Sequence, residues 1–428
     1  MVRFVIVVIS LICAYYCSAC IRKEKAANQI QCIDIEANMQ NMKHVNLSHF
    51  TDNIRYVAMD IEDNFSFTGI WDCVFNDNFF IAKDLSKCVL YDYDGNIINR
   101  IGQQGNGPGE YRYVLNVSFG PSNKIYIQSL YDLLEYNLDG SFSKKYNRLF
   151  LINNDIIGTW MPMKDSLFFG KIQSSVGNEE NKALLFDLHG TIICEYKNYI
   201  LFERSRPVSG DTERHANIYY FNNQIVFKEM FNDTLFVLSD KYDLQPLYKI
   251  NLGRYTIPVS FRKLFIVPEN QYMVVNNVFQ TSGYLFLDCN FGTHFPAKRL
   301  TPRIVWEGIT SDFNTTNVLG IYDKQTKELI FSKPTSTDNP LFTSGLFNDI
   351  DAGPRFYPQK MVNDSTMVMW IEAKQLKDHV KSDDFKNNVS KYPEKKRKLE
   401  ELAESLSEYD NPVLMFVTFK KGGFRRGL

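Results

Sequence analysis

The stretch VLYDYDGNIINRIG, residues 89–102, decides the fold because it has a β-hairpin pattern that recurs along the chain. Two runs rich in aromatic and β-branched residues flank an Asp-Gly pair, which supplies the positive φ angles of a tight hairpin turn. The same pattern recurs, clearly or more loosely, at residues 133–146, 184–196, 235–250, 284–300 and 318–331. The clear copies begin about 45–50 residues apart, a period that indicates a repeat architecture.

A second strand pair precedes most of these hairpins, so each repeat contains four short strands. These pairs lie at residues 74–84, 122–130, 165–172, 222–230 and 270–278. Four strands in a repeat of this length are typical of a β-propeller blade, and the repeats predict six blades. NIRYVAMDI (53–61) and NPVLMFVTFK (411–420) are both strand-like, which predicts one blade built from both ends of the chain to close the ring.

The composition fits an all-β protein with a large core and excludes one class of partner. Of 428 residues, 44% are apolar and 14% are aromatic, and aromatic residues favour pleated, half-buried surfaces. Lys and Arg number 48 against 49 Asp and Glu, a formal net charge of -1. This balance lacks the basic surplus that nucleic-acid binding uses, so no nucleic-acid partner is expected.

The N-terminus has the pattern of a targeting segment. Arg3 precedes an apolar run at residues 4–16, which is too short to span a bilayer as a helix. The following CSAC (17–20) resembles a bacterial lipoprotein box, which implies a signal peptide at 1–20 and lipidation of Cys20. An ordinary cleaved signal peptide is the alternative. Residues 21–48 are predicted to be a polar tether, and the membrane is contacted through the lipid alone.

The cysteines that remain after cleavage predict no disulfide framework and no zinc site. They are odd in number and widely spaced, namely Cys32, Cys73, Cys88, Cys194 and Cys289. Cys73 and Cys88 lie in strands that look adjacent and could pair, although buried free thiols are favoured.

A glycine-rich loop, RIGQQGNGPGEYRYV (100–114), follows the outermost strand of the first complete blade. Residues that accept φ > 0 allow the chain to turn sharply there and return to the axis for the next blade. A phosphate cradle is disfavoured, because no Gly-Lys-Ser/Thr and no helix follow the glycines. Glu110, Tyr111 and Arg112 are candidate ligand contacts at the mouth of the channel.

Residues 91–114 also resemble the blade junction of the six-bladed β-propeller lipoproteins of Bacteroides-type bacteria, which are similar to NHL-repeat propellers. Further matches lie at FNDTLFVL (231–238), GLFNDIDAGPRFYPQ (345–359) and YDNPVLMFVTFK (409–420). The resemblance covers roughly residues 50–420 and implies a propeller, which we assign to residues 49–428, and a cell-envelope location; the choice between a periplasmic and an outer-membrane leaflet is left open. It implies no settled activity, so no catalytic residues are assigned.

Residues 371–408 depart from the blade pattern and predict a helical insertion before the last strand. Pro393 opens a helix on which Leu399, Leu402 and Leu406 share one face. This face either packs on the propeller or docks a partner.

Other residues are candidates for ligand or metal binding. His215, beside Asp211, Glu213 and Arg214, is a candidate ligand contact and acid or base, or part of an exposed charged loop. Asp349 and Asp351 offer oxygen ligands for Ca²⁺, the one cofactor considered, or simply begin turns. The tryptophans that could stack on sugar rings, unless they are buried in blades, are Trp71, Trp160 and Trp306.

Two functions remain open at this stage. The first is a non-catalytic binding module that holds a glycan, a peptide or an envelope protein at the channel mouth and nearby loops. The alternative is a metal-dependent enzyme of the lactonase or lyase type, which needs convergent His, Asp, Glu or Asn side chains on the innermost strands. The candidate inner strands contain mostly Val, Ile, Phe and Tyr, which favours binding.

Overall fold

A computed structural model provides the coordinates of the chain. It describes residues 30–61, 66–67, 69–204, 207, 216–263, 272–292, 294, 303–306, 309–312, 317–335 and 344–420.

The described residues form six radial sheets, preceded by an N-terminal segment that adds strands to three of them. That segment comprises β1 (Gln31–Asp34), helix α1 (Ile35–Asn38), β2 (Met42–Lys43) and β3 (Asn53–Ala58). Blade I contains β4 (Asp72–Phe75), β5 (Phe79–Lys83), β6 (Cys88–Asp92) and β7 (Ile97–Arg100). Blade II contains β8 (Asn116–Gly120), β9 (Lys124–Ser129), β10 (Asp132–Asn137) and β11 (Phe142–Tyr146).

The remaining blades follow in chain order. Blade III contains β12 (Leu151–Ile152), β13 (Asp155–Pro162), β14 (Leu167–Ile172), β15 (Asn181–Asp187) and β16 (Ile192–Lys197). Blade IV contains β17 (Ala216–Phe221), β18 (Gln224–Glu229), β19 (Thr234–Leu238) and β20 (Leu244–Asn251). Blade V contains β21 (Val274–Gln280), β22 (Tyr284–Asn290), β25 (Asn317–Asp323) and β26 (Leu329–Ser332), with a separate hairpin, β23 (Arg303–Trp306) and β24 (Ile309–Asp312), inserted in it. Blade VI contains β27 (Lys360–Met361), β28 (Thr366–Ile371) and β29 (Val413–Thr418).

Inner strands of successive blades lie next to one another around the axis. They are β4, β8, β13, β17, β21 and β27. Within each blade the strands are antiparallel in chain order, and the hairpins predicted at residues 89–102, 133–146, 184–196, 235–250 and 318–331 form the outer side. The looser match at 284–300 is not such a hairpin, because its first strand, β22, is the second strand of blade V and pairs with β21 and β25. The predicted six-bladed all-β propeller is confirmed.

The ring closes on a blade made from both ends of the chain. β29 pairs antiparallel with β3, with Leu414 opposite Val57 and Phe416 opposite Arg55. β3 is therefore the outer strand of blade VI, whose other strands come from the C-terminal region. This pairing confirms the predicted closure and satisfies the edge of the last sheet.

The N-terminal segment also covers the outer edges of blades IV and V. β1 runs parallel to β20, and β2 runs parallel to β26, so each becomes a fifth strand. Ile33 and Ile35 are buried in the main core cluster. Residues 31–47, assigned from sequence to a polar tether, thus pair and pack against the propeller, because a few spaced apolar side chains anchor an otherwise polar stretch.

The insertion between β28 and β29 is helical, as predicted. It contains α2 (Ala373–Lys381), α3 (Asp383–Asn387) and α4 (Pro393–Ser405). Leu399 is buried in the core, and Leu402 and Leu406 are partly buried against it. The leucine face therefore packs on the propeller.

The cysteines described by the structure are free thiols. Cys73 on β4 and Cys88 on β6 are separated by β5, where they lie opposite Ala82 and Lys83. Among the described residues, no helix has the length and apolar character to cross a membrane.

Replacing Ile33 by alanine tests whether the N-terminal strands are part of the folded unit. The substitution leaves a cavity beside β20, and we expect it to lower the free energy of unfolding by about 2–4 kcal/mol in urea denaturation. Cys32→Ala on the same strand is the control, because Cys32 is exposed. Equal stability of the two variants would show that β1 contributes nothing to the fold.

Candidate functional site

The propeller surrounds a central channel with a volume of about 1600 Å³. At one end, here called the turn face, each inner strand turns tightly into the second strand of its blade. The opposite end, here called the loop face, carries the connections between blades and the helical insertion. Channel-lining residues include Trp71 and Leu115 near the loop face, and Asn222 and Asn363 near the turn face.

A ring of polar side chains, here called the polar belt, lies at one register position of five inner strands. Each member stands opposite a polar residue on the second strand of its blade. The belt residues are Asp72, Asn116, Thr159, Asn217 and Asn277, and their opposite residues are Lys83, Gln128, Lys171, Lys228 and Asp288 in that order. Because all five belt residues line the channel, they present polar groups to its contents.

All five opposite residues are buried. Four of them join neighbouring blades, whereas Lys171 Nζ donates to Ile172 O of its own strand. Lys83 Nζ donates to the carbonyls of Val114 and Leu115, just before the inner strand of blade II. Gln128 Nε2 donates to Ile157 O of blade III at 3.0 Å. We call these contacts the inter-blade clamps.

The same position links the later blades. Lys228 Nζ donates to Val275 O of blade V at 3.2 Å. Asp288 accepts a hydrogen bond from the hydroxyl of Tyr357, ahead of blade VI, at 2.6 Å. Burial lowers the pKa of Lys228 to about 8 and raises the pKa of Asp288. Lys228 and Asp288 therefore join neighbouring blades by hydrogen bonds.

One belt residue, Asp72, forms an ion pair with a lysine outside the belt. Lys360 Nζ of blade VI contacts both carboxylate oxygens of Asp72 of blade I, at 2.7 and 2.9 Å. The pair links the last blade to the first on the channel wall. Its charges offset each other, so the belt carries little net charge.

The belt asparagines each use one end of their amide within the protein. Asn116 Oδ1 accepts from Val117 N, and Asn217 Oδ1 accepts from Val278 N, both at 3.0 Å. Asn277 Nδ2 donates to Asp288 at 3.0 Å. Within the described part of the chain, the Nδ2 groups of Asn116 and Asn217 and the Oδ1 of Asn277 remain available to a ligand.

The tryptophans proposed as stacking surfaces differ in position. Trp71 lines the channel near the loop face, is 62% exposed, and has Lys83 Nζ 5.7 Å from its ring centroid. Trp160 also borders the channel, but its side chain is buried, stacks on Phe150 and donates from Nε1 to Gln128. The side chain of Trp306 lies outside the described residues. Trp370, not singled out from sequence, also lines the channel.

The glycine-rich loop crosses from blade I to blade II, as predicted. Glu110 accepts hydrogen bonds from Gln103 and the Gly107 amide, which lower its pKa and hold the loop together. Tyr111 is buried in the core between blades I and II, and Arg112 is exposed. None of Glu110, Tyr111 and Arg112 lines the channel, and their role as ligand contacts stays a prediction.

Gly109 shows why this loop requires glycine. Its φ is +74°, and a Cβ atom there would lie 2.5 Å from Phe142 Cγ on blade II. The loop therefore fits closely over the outer strands of blade II.

The remaining candidate residues do not form a described metal centre. His215 and its neighbours Asp211, Glu213 and Arg214 lie outside the described residues. Asp349 accepts from the amide and hydroxyl of Ser48, at 3.0 and 2.6 Å. Among the residues that the structure describes, no group of three His, Cys, Asp or Glu side chains could hold a metal ion.

Asp351 has different hydrogen-bond partners from Asp349. It is buried and accepts from Asn348 Nδ2, the Gly353 amide and the Tyr56 hydroxyl, at 2.6, 2.9 and 3.3 Å. Burial raises its pKa to about 6. Both carboxylates therefore secure the turn that joins the N-terminal segment, blade VI and the helical insertion, while calcium binding stays a prediction.

Residues 30–418 match the family described as "Domain of unknown function (DUF4934)". The chain belongs to this DUF4934 family. Among curated proteins, none matches the chain.

Solved structures resemble this DUF4934 chain in fold. A Bacteroides fragilis protein described as exported is 18% identical with a TM-score of 0.66, over 92% of this chain and 100% of that one. A DUF4221 member from Bacteroides vulgatus is 13% identical with a TM-score of 0.49, over 86% and 99%. Virginiamycin B lyase from Staphylococcus aureus is 11% identical with a TM-score of 0.35, over 68% and 78%. At these identities only the fold is shown, and the last two similarities support no argument about function.

The polar belt of this DUF4934 protein was missed in the sequence because the inner strands were interpreted from their apolar majority. The signal was nevertheless present, since Asp, Asn or Thr recurs at the same distance before each tight turn in DCVFN (72–76), NVSFG (116–120), TWMPM (159–163), NIYYF (217–221) and NVFQT (277–281). A Lys or Gln also lies at the end of the second strand or one residue before it in FIAK (80–83), IYIQ (125–128), FFGK (168–171) and IVFK (225–228). Aligning the repeats on their turns would have revealed both positions.

Replacing Lys228 by methionine tests the buried charge of one clamp. The pKa of Lys228 is about 8 in the folded protein and 10.5 as its ordinary value, so the unfolded chain binds more protons between these pH values. The stability of the wild type relative to the variant should therefore rise by about 3 kcal/mol from pH about 8 to about 10.5 in urea denaturation.

Lys144→Met, at an exposed position on β11, is the matched control for loss of one lysine charge. Its stability difference from the wild type should stay nearly constant over the same range. A difference that is equally constant for Lys228→Met would contradict the lowered pKa of Lys228 in the folded protein.

Proposed function

We propose that this DUF4934 protein is exported, is anchored at the cell envelope by a lipid on Cys20, and acts as a non-catalytic binding module. Its ligand is a glycan, a peptide or a segment of an envelope protein that enters the central channel. The observation that carries this proposal is the channel itself, which combines the polar belt with the exposed ring of Trp71.

The chemistry of the channel suits recognition. Binding cavities combine apolar and aromatic walls with a few directed polar groups. Phe75, Phe119 and Phe279 line this channel together with the belt. The open amide groups of Asn116, Asn217 and Asn277 come from three different blades and are fixed by their second hydrogen bonds.

Export is supported by two observations. Residues 1–20 have the pattern of a signal peptide that ends at a lipoprotein-like Cys20. The similar Bacteroides fragilis structure is described as an exported protein. No contact of the described residues favours the metal-dependent lactonase or lyase alternative, which stays a prediction.

Filling the channel tests the proposal directly. Ser118 lies on the inner strand β8 and lines the channel, so Ser118→Trp should obstruct it. We expect residues 21–428 of the wild type to retain ligands on arrays of glycans and peptides, and Ser118→Trp to retain them at least about tenfold more weakly.

Ser143→Trp makes the same change on the exposed outer strand of the same blade and should bind as the wild type does. Thermal melting checks that both variants fold. Equal binding by the two variants would place the ligand outside the channel. Conversion of a bound glycan or peptide, detected by mass spectrometry, would overturn the non-catalytic part of the proposal.

A further inference from the structure

We infer that the channel takes an uncharged, hydroxyl-rich chain, namely a linear neutral oligosaccharide, with the belt asparagines as its hydrogen-bonding partners and Trp71 as its stacking surface. This inference rests on the proposed function, since it names the ligand class of the same channel. It is argued from hydrogen-bonding capacity, charge, the exposed aromatic ring and the shape of the channel.

The belt offers both donors and acceptors that no described protein group uses. Asn116 and Asn217 leave Nδ2 donors, and Asn277 leaves an Oδ1 acceptor. A sugar hydroxyl both donates and accepts, so it complements such a mixed set. Because the second end of each amide is already bonded to its own or a neighbouring strand, the orientation of each group is fixed before a ligand arrives.

The charges on the channel wall disfavour an acidic ligand, because the cations of the wall are paired and two further carboxylates, Asp77 and Asp364, also line it. The ammonium of Lys360 is paired with Asp72, and that of Lys83 faces two backbone carbonyls. An acidic glycan would need a cation released from these contacts, at the cost of leaving the protein partner unsatisfied. Asp288 also lines the channel, and it is hydrogen-bonded to Tyr357 and Asn277.

Trp71 is placed to contact the apolar face of a sugar ring. Many aromatic side chains of the described residues are buried in the core, whereas Trp71 is 62% exposed and lines the channel. Its backbone amide donates to Lys83 O at 2.9 Å, which fixes the start of β4. An exposed indole on a fixed strand offers a flat, amphipathic surface at low entropic cost.

The channel is elongated, which indicates a chain-like ligand. Its lining extends along the inner strands from Trp71 to Asn363, and a five-residue strand is about 17 Å long. In five blades the inner strand is the last strand of its sheet and exposes one backbone edge toward the axis, and in blade III the short strand β12 covers only the beginning of β13. A linear oligosaccharide can use successive hydroxyls along this wall, whereas a single sugar would contact only part of the belt.

The test is calorimetric titration of residues 21–428 with linear hexasaccharides chosen from a prior glycan array. Neutral probes are the hexamers of β-1,4-linked glucose, xylose and mannose and of α-1,4-linked glucose. The acidic probe is the hexamer of α-1,4-linked galacturonate, and an array of extended peptides completes the set. We expect at least one neutral hexamer to bind, and the galacturonate hexamer and the peptides not to bind at millimolar concentration.

Two variants remove the inferred contacts with little change to the fold. Trp71→Ala removes the exposed ring, and Asn217→Asp keeps the acceptor for Val278 N while removing the free donor. Each should weaken binding of the neutral hexamer about tenfold or more, the loss expected for one stacking or hydrogen-bonding contact. Tyr199→Ala and Asn147→Asp, at exposed positions away from the channel, are matched controls and should bind as the wild type does.

The outcomes separate this inference from the proposed function. The galacturonate hexamer or a peptide could bind instead, and Ser118→Trp could abolish that binding. This result would overturn the neutral-glycan inference and leave the channel as the binding site. Binding of a neutral hexamer that neither Trp71→Ala nor Asn217→Asp weakens would overturn the assigned contacts. No binding of any neutral oligosaccharide, on the array or in titration, would overturn the inference as a whole.

Discussion

Among the described residues no strand pairing joins one propeller blade to the next, so the ring depends largely on side chains that cross the seams. The inter-blade clamps meet this constraint with an unusual choice, since Lys83 and Lys228 are buried with their ammonium groups against backbone carbonyls. Burying such a charge is unfavourable unless hydrogen bonds replace the lost water. The clamps therefore fix the spacing of the inner strands, and the polar belt stands on the strands that they position.

The belt residues and the clamp residues are paired across the same strands. At the same register position, the inner strand presents a small polar side chain to the channel and the second strand sends a long one into the seam. In blade V the same register position forms an inter-blade hydrogen bond of opposite direction. Asp288 accepts from Tyr357 there, whereas Lys228 of blade IV donates to Val275. The contacts that hold the blades together therefore also position the residues of the channel wall.

The sequence predicted the fold well and the site poorly, for a physical reason. Asp-Gly turns at Gly95 and Gly140 and their flanking apolar runs are local signals, so hairpins, blade number and ring closure followed from them. The belt is defined by register across blades, and one Asn at the start of an apolar strand, such as Asn217, has no local signature. Likewise, the sequence of β1 looked polar, because only a few apolar residues around Ile33 pack it against the propeller.

The N-terminal strands also set the order in which the molecule can assemble. Gln31 pairs with Tyr248, Met42 with Phe331 and Val57 with Leu414, so the first described residues find their partners among the last blades. Contacts this distant in sequence raise the contact order, and proteins of this kind fold slowly. During synthesis β1 stays unpaired until Asn251 has emerged, β2 until Ser332 and β3 until Thr418. The ring is therefore closed late, when β3 pairs with β29.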